Sequence, residues 1–303
     1  MRKGKENLAI FAPNKTDKPF FHHMKKTLLL LSVLLTLACL MACNGVERKA
    51  SARLDIARQA YECGDYDKAK AELDSIKTLY PKAFDTRRKG NRLERRVERD
   101  VQRLRMAQLD SMLASAQSRL EQMASAYAFE KDKEYQQTGT YLHPSQTIER
   151  NLHRSFLRFQ VDEQGKVSMT SIYCGRTSIH HTSVKVTAPD GTFVQTPASP
   201  DSYETTDLDE HIEKADYKLG QDGGVMHFIA DNQNSDLRVD FVGDRTYTTH
   251  LTRADRQAAH AILELATVLD SIAQVKADME ECHLKIGFLE ERIKRDSLET
   301  INQ

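Results

Sequence analysis

Cys174, His180 and His181 stand close together and carry the ligand types that hold zinc, a thiolate and imidazole nitrogens. Their spacing matches no standard zinc site, and adjacent histidines on a strand point to opposite faces. The expectation is exposed histidines beside a structural cysteine. A second cluster, Asp207, Asp209, Glu210 and His211 in "DLDEHIEK", offers the oxygens that calcium prefers, but lacks the ligand order and central glycine of a calcium loop. Nucleophilic catalysis would be signalled by a Gly-x-Ser-x-Gly elbow, which the chain does not contain. It has neither a P-loop nor a dinucleotide glycine fingerprint. "GQDGG" at Gly220–Gly224 reads as a turn between strands with no helix after it. Trp is absent, which leaves Tyr173, Phe193, Tyr203 and Tyr247 as the aromatic surfaces on which a sugar could stack. From these residues no catalytic group, no metal site and no cofactor is predicted.

The most directed chemistry belongs to Cys43, which ends the apolar run in "MKKTLLLLSVLLTLACLMACNG" (Met24–Gly45). Lys25 and Lys26 form a basic head, Leu28–Leu37 an apolar middle, and Ala42 a small residue before the cysteine. That order is a secretory signal. The apolar stretch falls short of the about 20 residues a membrane span needs. Leu40, Met41, Ala42 and Cys43 resemble the lipobox of bacterial lipoproteins. The resemblance implies that residues 24–42 are removed, that Cys43 receives a diacylglyceryl group, and that the chain is held on a lipid membrane by its acyl chains. It also implies a bacterial cell envelope location. Asn44 stands where some inner-membrane lipoproteins carry Asp, so the periplasm-facing outer membrane is favoured. Residues 1–23 precede a second Met with a complete signal start and read as an upstream start or an extension.

The chain balances 44 basic against 44 acidic side chains. Residues 1–42 hold seven basic and two acidic ones, so the remainder carries 37 and 42, a formal charge of −5. A nucleic-acid binder would show a basic surplus, so that class of partner is set aside. Processing would leave Cys63, Cys174 and Cys282, too few and too scattered for a disulfide scaffold, with one long-range bridge as an alternative to three free thiols.

The remaining elements must position whatever chemistry exists. Residues 50–85 read as a helical hairpin. Ile56, Ala57, Gly64, Tyr66, Ala69, Leu73 and Pro81 resemble a single tetratricopeptide repeat, with Arg53, Ala60 and Ile76 departing from its pattern. No second copy follows, whereas repeat stacks need three or more. Residues 86–135 read as a long helix with a coiled-coil seam through Met106, Leu109, Leu113, Ala116, Leu120, Met123 and Tyr127. Its first half is rich in arginine, from Arg87 to Arg105, with Glu94, Glu98 and Asp100 available as partners. A solvated face is the ordinary reading, and acidic lipid headgroups are the functional alternative.

Residues 252–299 read as a second long helix, opened by a Thr252–Asp255 capping box and patterned by Val268, Ile272, Val275, Met279, Cys282, Ile286, Leu289 and Ile293. That spacing buries Cys282. Residues 139–251 switch to alternating strand patterns broken by Gln-Gly and Pro-Asp-Gly turns, with 201–218 read as a loop or short helix. The predicted fold class is α+β: a helical hairpin and a long antiparallel coiled-coil stalk with an inserted antiparallel β-sandwich-like head. A parallel homodimer through the helical seams is the alternative. The functional expectation is a membrane-anchored, non-enzymatic scaffold that presents its β head to a protein partner. The other reading is a ligand- or glycan-binding protein, or a weak hydrolase, with its site in that head.

Overall fold

The computed structural model describes residues 45–131, 134, 138–207 and 209–301. Cys43 and the signal-like stretch before it lie outside the described residues. The chain is mixed α+β, and its described residues divide into two compact units, one formed by 45–102 with 285–301, the other by those within 103–284.

In the first unit α1 (45–62) and α2 (Tyr66–Leu79) form a hairpin, joined by the start of α3 (Phe84–Ala124) and the end of α5 (Arg253–Ile301). Gly64 turns the chain at φ +77°, and Asp65 caps α2 by accepting from the Lys68 N–H. Leu54, Ala57 and Ala60 meet Leu73, Ile76 and Val97 in a buried core. Gly90 keeps α3 close to α2, since a Cβ there would stand 3.4 Å from the Leu73 side chain. Ile56, aligned above with an apolar packing position, is 41% exposed. Leu54 and Ala57 carry that packing, one turn apart on the inner face. Of the acidic residues foreseen as partners for the arginines, Asp100 pairs with Arg99. Glu94 reaches Lys77, while Glu98 reaches both Lys70 and Lys285.

In the second unit α3 ends at Ala124, short of the predicted 135. The chain turns through Ala126 and Tyr127, whose N–H groups bond to Met123 and Ala124, and backbone pairing then takes the next residues as β1 (Ala128–Glu130). The Tyr127 hydroxyl donates to the Ala261 carbonyl of α5 at 2.8 Å. Further strands are β2 (Thr140–Leu142), β3 (Phe156–Asp162), β4 (Val167–Gly175), β5 (Ser183–Thr187) and β6 (Phe193–Gln195). They are followed by β7 (Asp201–Asp207), β8 (Glu210–Tyr217), β9 (Arg238–Val242) and β10 (Thr246–His250). All pairings are antiparallel, in a sheet of order β1-β2-β3-β4-β8-β7 and a sheet of order β10-β9-β5-β6.

Two local readings are corrected. Residues 201–218 are neither a loop nor a helix but the β7–β8 hairpin, because every second residue of β8 from Glu213 to Tyr217 is buried and the intervening ones are not. "GQDGG" is followed by a helix after all, α4 (Val225–Asp231). Four of its seven residues are buried, and the Asp222 carboxylate accepts from the Met226 N–H at 2.7 Å.

One core cluster gathers Leu157, Phe159 and Met169 of the first sheet, Val184, Val186 and Phe241 of the second, Met226 and Ile229 of α4, and the inner face of α5. By length and composition α5 could cross a membrane, but half of its most apolar window is buried within the fold. Ala258, Ala259, Ile262, Leu265 and Leu269 fill that core, so apolarity here reflects protein packing. Its start is a reciprocal cap: the Thr252 N–H donates to Asp255 Oδ2 at 3.0 Å, and the Asp255 N–H donates back to the Thr252 hydroxyl at 3.1 Å. Further along the same helix, Cys282 is buried beside Leu109 and Val275. None of Cys63, Cys174 and Cys282 forms a disulfide among the described residues.

Candidate functional site

The strongest concentration of polar side chains inside the fold is built by β4, β8 and the loop between β4 and β5. Pairing β4 with β8 sets Ser171 opposite Ala215 and Tyr173 opposite Glu213, all on the core side of the sheet. Glu213 is 2% exposed, an ionisable group where its strand phase calls for an apolar one.

Five donors converge on it. Its Oε1 accepts from the Ser178 hydroxyl at 2.7 Å, the Ile179 N–H at 2.6 Å and the His180 N–H at 3.0 Å. Its Oε2 accepts from the His181 N–H at 2.8 Å and faces the His181 ring Nδ1 at 3.0 Å. Three successive backbone N–H groups can point at one carboxylate because His180 adopts a left-handed conformation, φ +53°. Such a nest binds anions, and here the anion is a side chain of the protein. Burial alone would push the Glu213 carboxyl up, but the donors outweigh it and hold it down at about 2.

His181 is buried and extends the network. Its Nε2 lies 2.8 Å from the Ser171 hydroxyl, which itself sits 3.4 Å from the Ala215 carbonyl. Burial pushes the imidazole below its ordinary value, against the pull of Glu213, so the ring is neutral at pH 7. The proton must sit on Nδ1, because an unprotonated Nδ1 would set two acceptors against each other. Ser171 then donates to Nε2. Serine, histidine and carboxylate thus stand in the order of a nucleophilic relay. Ser171, however, is 0% exposed and the Phe241 ring packs edge-on to His181, so no substrate reaches the hydroxyl. The arrangement fixes the loop that carries His180.

The zinc-type set falls apart in space. His181 turns inward and His180 outward, where it pairs with Glu204 at 2.8 Å and has its pKa raised by that bond. Both histidines were expected at the surface; the inward turn follows from the pull of Glu213 on this loop. Cys174 lies 3.4 Å from Glu210, and burial together with that carboxylate pushes its thiol up to about 11. In the acidic cluster, Glu210 is shared by Cys174 and His153. His180, Glu204 and Glu213 do bring ligand atoms within 4.8 Å of one another. Glu213 already accepts through both oxygens, so binding a cation there would strip the loop of its anchors. Ser171, His181 and Glu213 were not foreseen as a unit; the readable signal was a glutamate in phase with Ala215 and Tyr217.

On the opposite face of the same sheet, Arg158, Gln160, Thr170, Ile172, Lys214 and Asp216 line an open groove of about 670 Å³. Arg158 pairs with Glu130 at 2.7 Å, and its Nε is buried without a hydrogen-bond partner among the described residues.

Together these features define an α+β protein whose inner polar network is closed to solvent. Comparison with protein-family models, with curated proteins and with solved structures finds no match.

Proposed function

We propose that this chain is a lipid-anchored protein of the bacterial envelope, acting as a non-enzymatic scaffold that holds an interaction module near a membrane. The observation that carries the reading is the Leu40-Met41-Ala42-Cys43 box at the end of a basic-then-apolar run. In this reading the paired helices act as a coiled coil, the two sheets as a sandwich-like head, and the acylated Cys43 as the tether. The buried hydroxyl of Ser171 supports a binding role over a catalytic one. Incorporation of labelled fatty acid into the wild-type chain but not Cys43→Ala tests the tether, and crosslinking in intact cells identifies what the head touches.

A second reading is supported by the groove on the outer sheet face. Arg158, Gln160, Lys214 and Asp216 offer donors and acceptors of both signs, as a polar ligand or glycan requires. Saturable binding abolished by Arg158→Ala would favour it over the protein-partner reading.

A further inference from the structure

Cys174 does not meet the two histidines near it in sequence as a ligand set, but the fold gives it other partners. In β8 Glu213, Ala215 and Tyr217 turn to the core, so Glu210 turns outward. Cys174 of β4, next to the inward Tyr173, faces the same way, and pairs in register with Ile212, two residues from Glu210. Glu210 Oε2 lies 3.4 Å from the Cys174 sulfur and 2.5 Å from Nδ1 of His153. A thiol, an imidazole and a carboxylate thus meet at one oxygen. Asp207, opposite Glu210 in the β7–β8 pair, adds a second carboxylate on that face.

The backbone around these groups is tied together. The Ser155 hydroxyl accepts from the Cys174 N–H at 2.9 Å and donates to the Cys174 carbonyl at 3.2 Å. That clamp holds the segment carrying His153 against β4. Tetrahedral zinc keeps its ligand atoms about 3–4 Å apart, a spacing the sulfur and the carboxylate oxygen already have. The imidazole must open from its 2.5 Å bond and close toward the sulfur, a rotation open to a side chain 68% exposed. His180, Glu204 and Glu213 bring their ligand atoms closer together, within 4.8 Å, but offer no sulfur, and Glu213 is committed to its loop. Sulfur and imidazole nitrogen select zinc over calcium and magnesium, which take oxygen ligands.

We infer that Cys174, His153 and Glu210 form a binding site for a zinc-type divalent ion, with the fourth position left to water. On binding, the thiol releases its proton to solvent and its sulfur lone pair bonds the ion. Nδ1 of His153 and one Glu210 oxygen donate theirs, and nothing is oxidised or reduced. The site lies within one compact unit and stands independently of the tether at Cys43.

The test is cobalt(II) titration of the full chain in neutral detergent micelles with a non-thiol reductant, read by the thiolate-to-cobalt charge-transfer band. The band should saturate at one equivalent and disappear when zinc is added, while calcium and magnesium leave it unchanged. Cys174→Ser should lack the band. His153→Asn replaces an exposed side chain with one that tolerates the left-handed backbone at φ +60°, so the fold is kept. It should weaken cobalt binding at least about tenfold. Cys63→Ser, at an exposed cysteine of the other unit, and His180→Ala should titrate as wild type. No band in the wild type, a band that persists in Cys174→Ser, or equal cobalt affinity of His153→Asn and wild type would overturn the assignment.

Discussion

His181 meets the Glu213 carboxylate twice, through its backbone N–H at 2.8 Å and its ring Nδ1 at 3.0 Å, both on the same oxygen. One residue therefore gives that oxygen two N–H donors, and because the neutral ring already carries its proton on Nδ1, acid adds the second proton at Nε2, where the Ser171 hydroxyl donates, which ties the 178–182 loop to pH.

Both groups bind protons less readily folded than unfolded, so acidification costs stability. His181 contributes fully above its ordinary value of 6.5 and progressively less as pH falls below it. Glu213 contributes above 4.5 and loses its contribution as pH falls toward about 2, a difference worth about 3 kcal/mol. Urea unfolding of the wild type should therefore show stability declining below pH 6.5 and again below 4.5. Glu213→Gln should be less stable at pH 7 by about 3 kcal/mol and lack the lower decline. Parallel pH profiles for wild type and variant would refute the assignment.

Gly243 tests the loop from outside. A Cβ there would stand 2.3 Å from the Ile179 carbonyl and 2.4 Å from that of His180. Backbone cannot yield as a side chain tip does, so Gly243→Ala should displace the loop from Glu213 and cost about 1–3 kcal/mol. The His181 ring resonances should shift with it. An unchanged melting temperature and spectrum would show the loop to be freer than this packing implies.

Asp255 serves three partners: the Thr252 cap, the Gln146 amide and the Arg154 guanidinium, the last at 2.5 Å to each oxygen. It is 2% exposed. Asp255→Ala removes the cap and strands a cation and an amide, and should cost about 3–5 kcal/mol. Asp255→Asn should recover part of this in the same denaturation assay. A loss below about 1 kcal/mol would mean that the cap acts alone.

Ile56 and Ala57 separate the repeat-like reading of the hairpin from its packing. Ile56→Ala should change stability by less than about 0.5 kcal/mol, as at other exposed positions. Ala57→Leu, at a fully buried site, should cost about 1–3 kcal/mol by overpacking. The reverse order would return Ile56 to the core.

What could be read from the residues was whatever has a period or a local cap. The four-three spacing from Val268 to Ile293 marks a helix over many turns, and Thr252 with Asp255 marks its start. The strand patterns of β3 and β5 alternate from Leu157 and Val184 onward. Short apolar runs have no such signature: "VMHFIAD" reads equally as strand or helix, and only tertiary burial of Val225, Met226, Ile229 and Ala230 decides it. The Glu213 network was illegible for a different reason. Three of its five donors are backbone N–H groups from a loop more than 30 residues away, and a backbone N–H looks the same at every position. The β7–β8 hairpin was missed because a charged residue in its buried phase hides the alternation.

The tether is the central claim, and metabolic labelling with a radioactive fatty acid in a bacterial host tests it most directly. The account predicts label in the wild-type chain and none in Cys43→Ala, with the variant retaining its signal stretch and migrating as the larger species. Equal labelling of both chains, or no labelling of either, would contradict it.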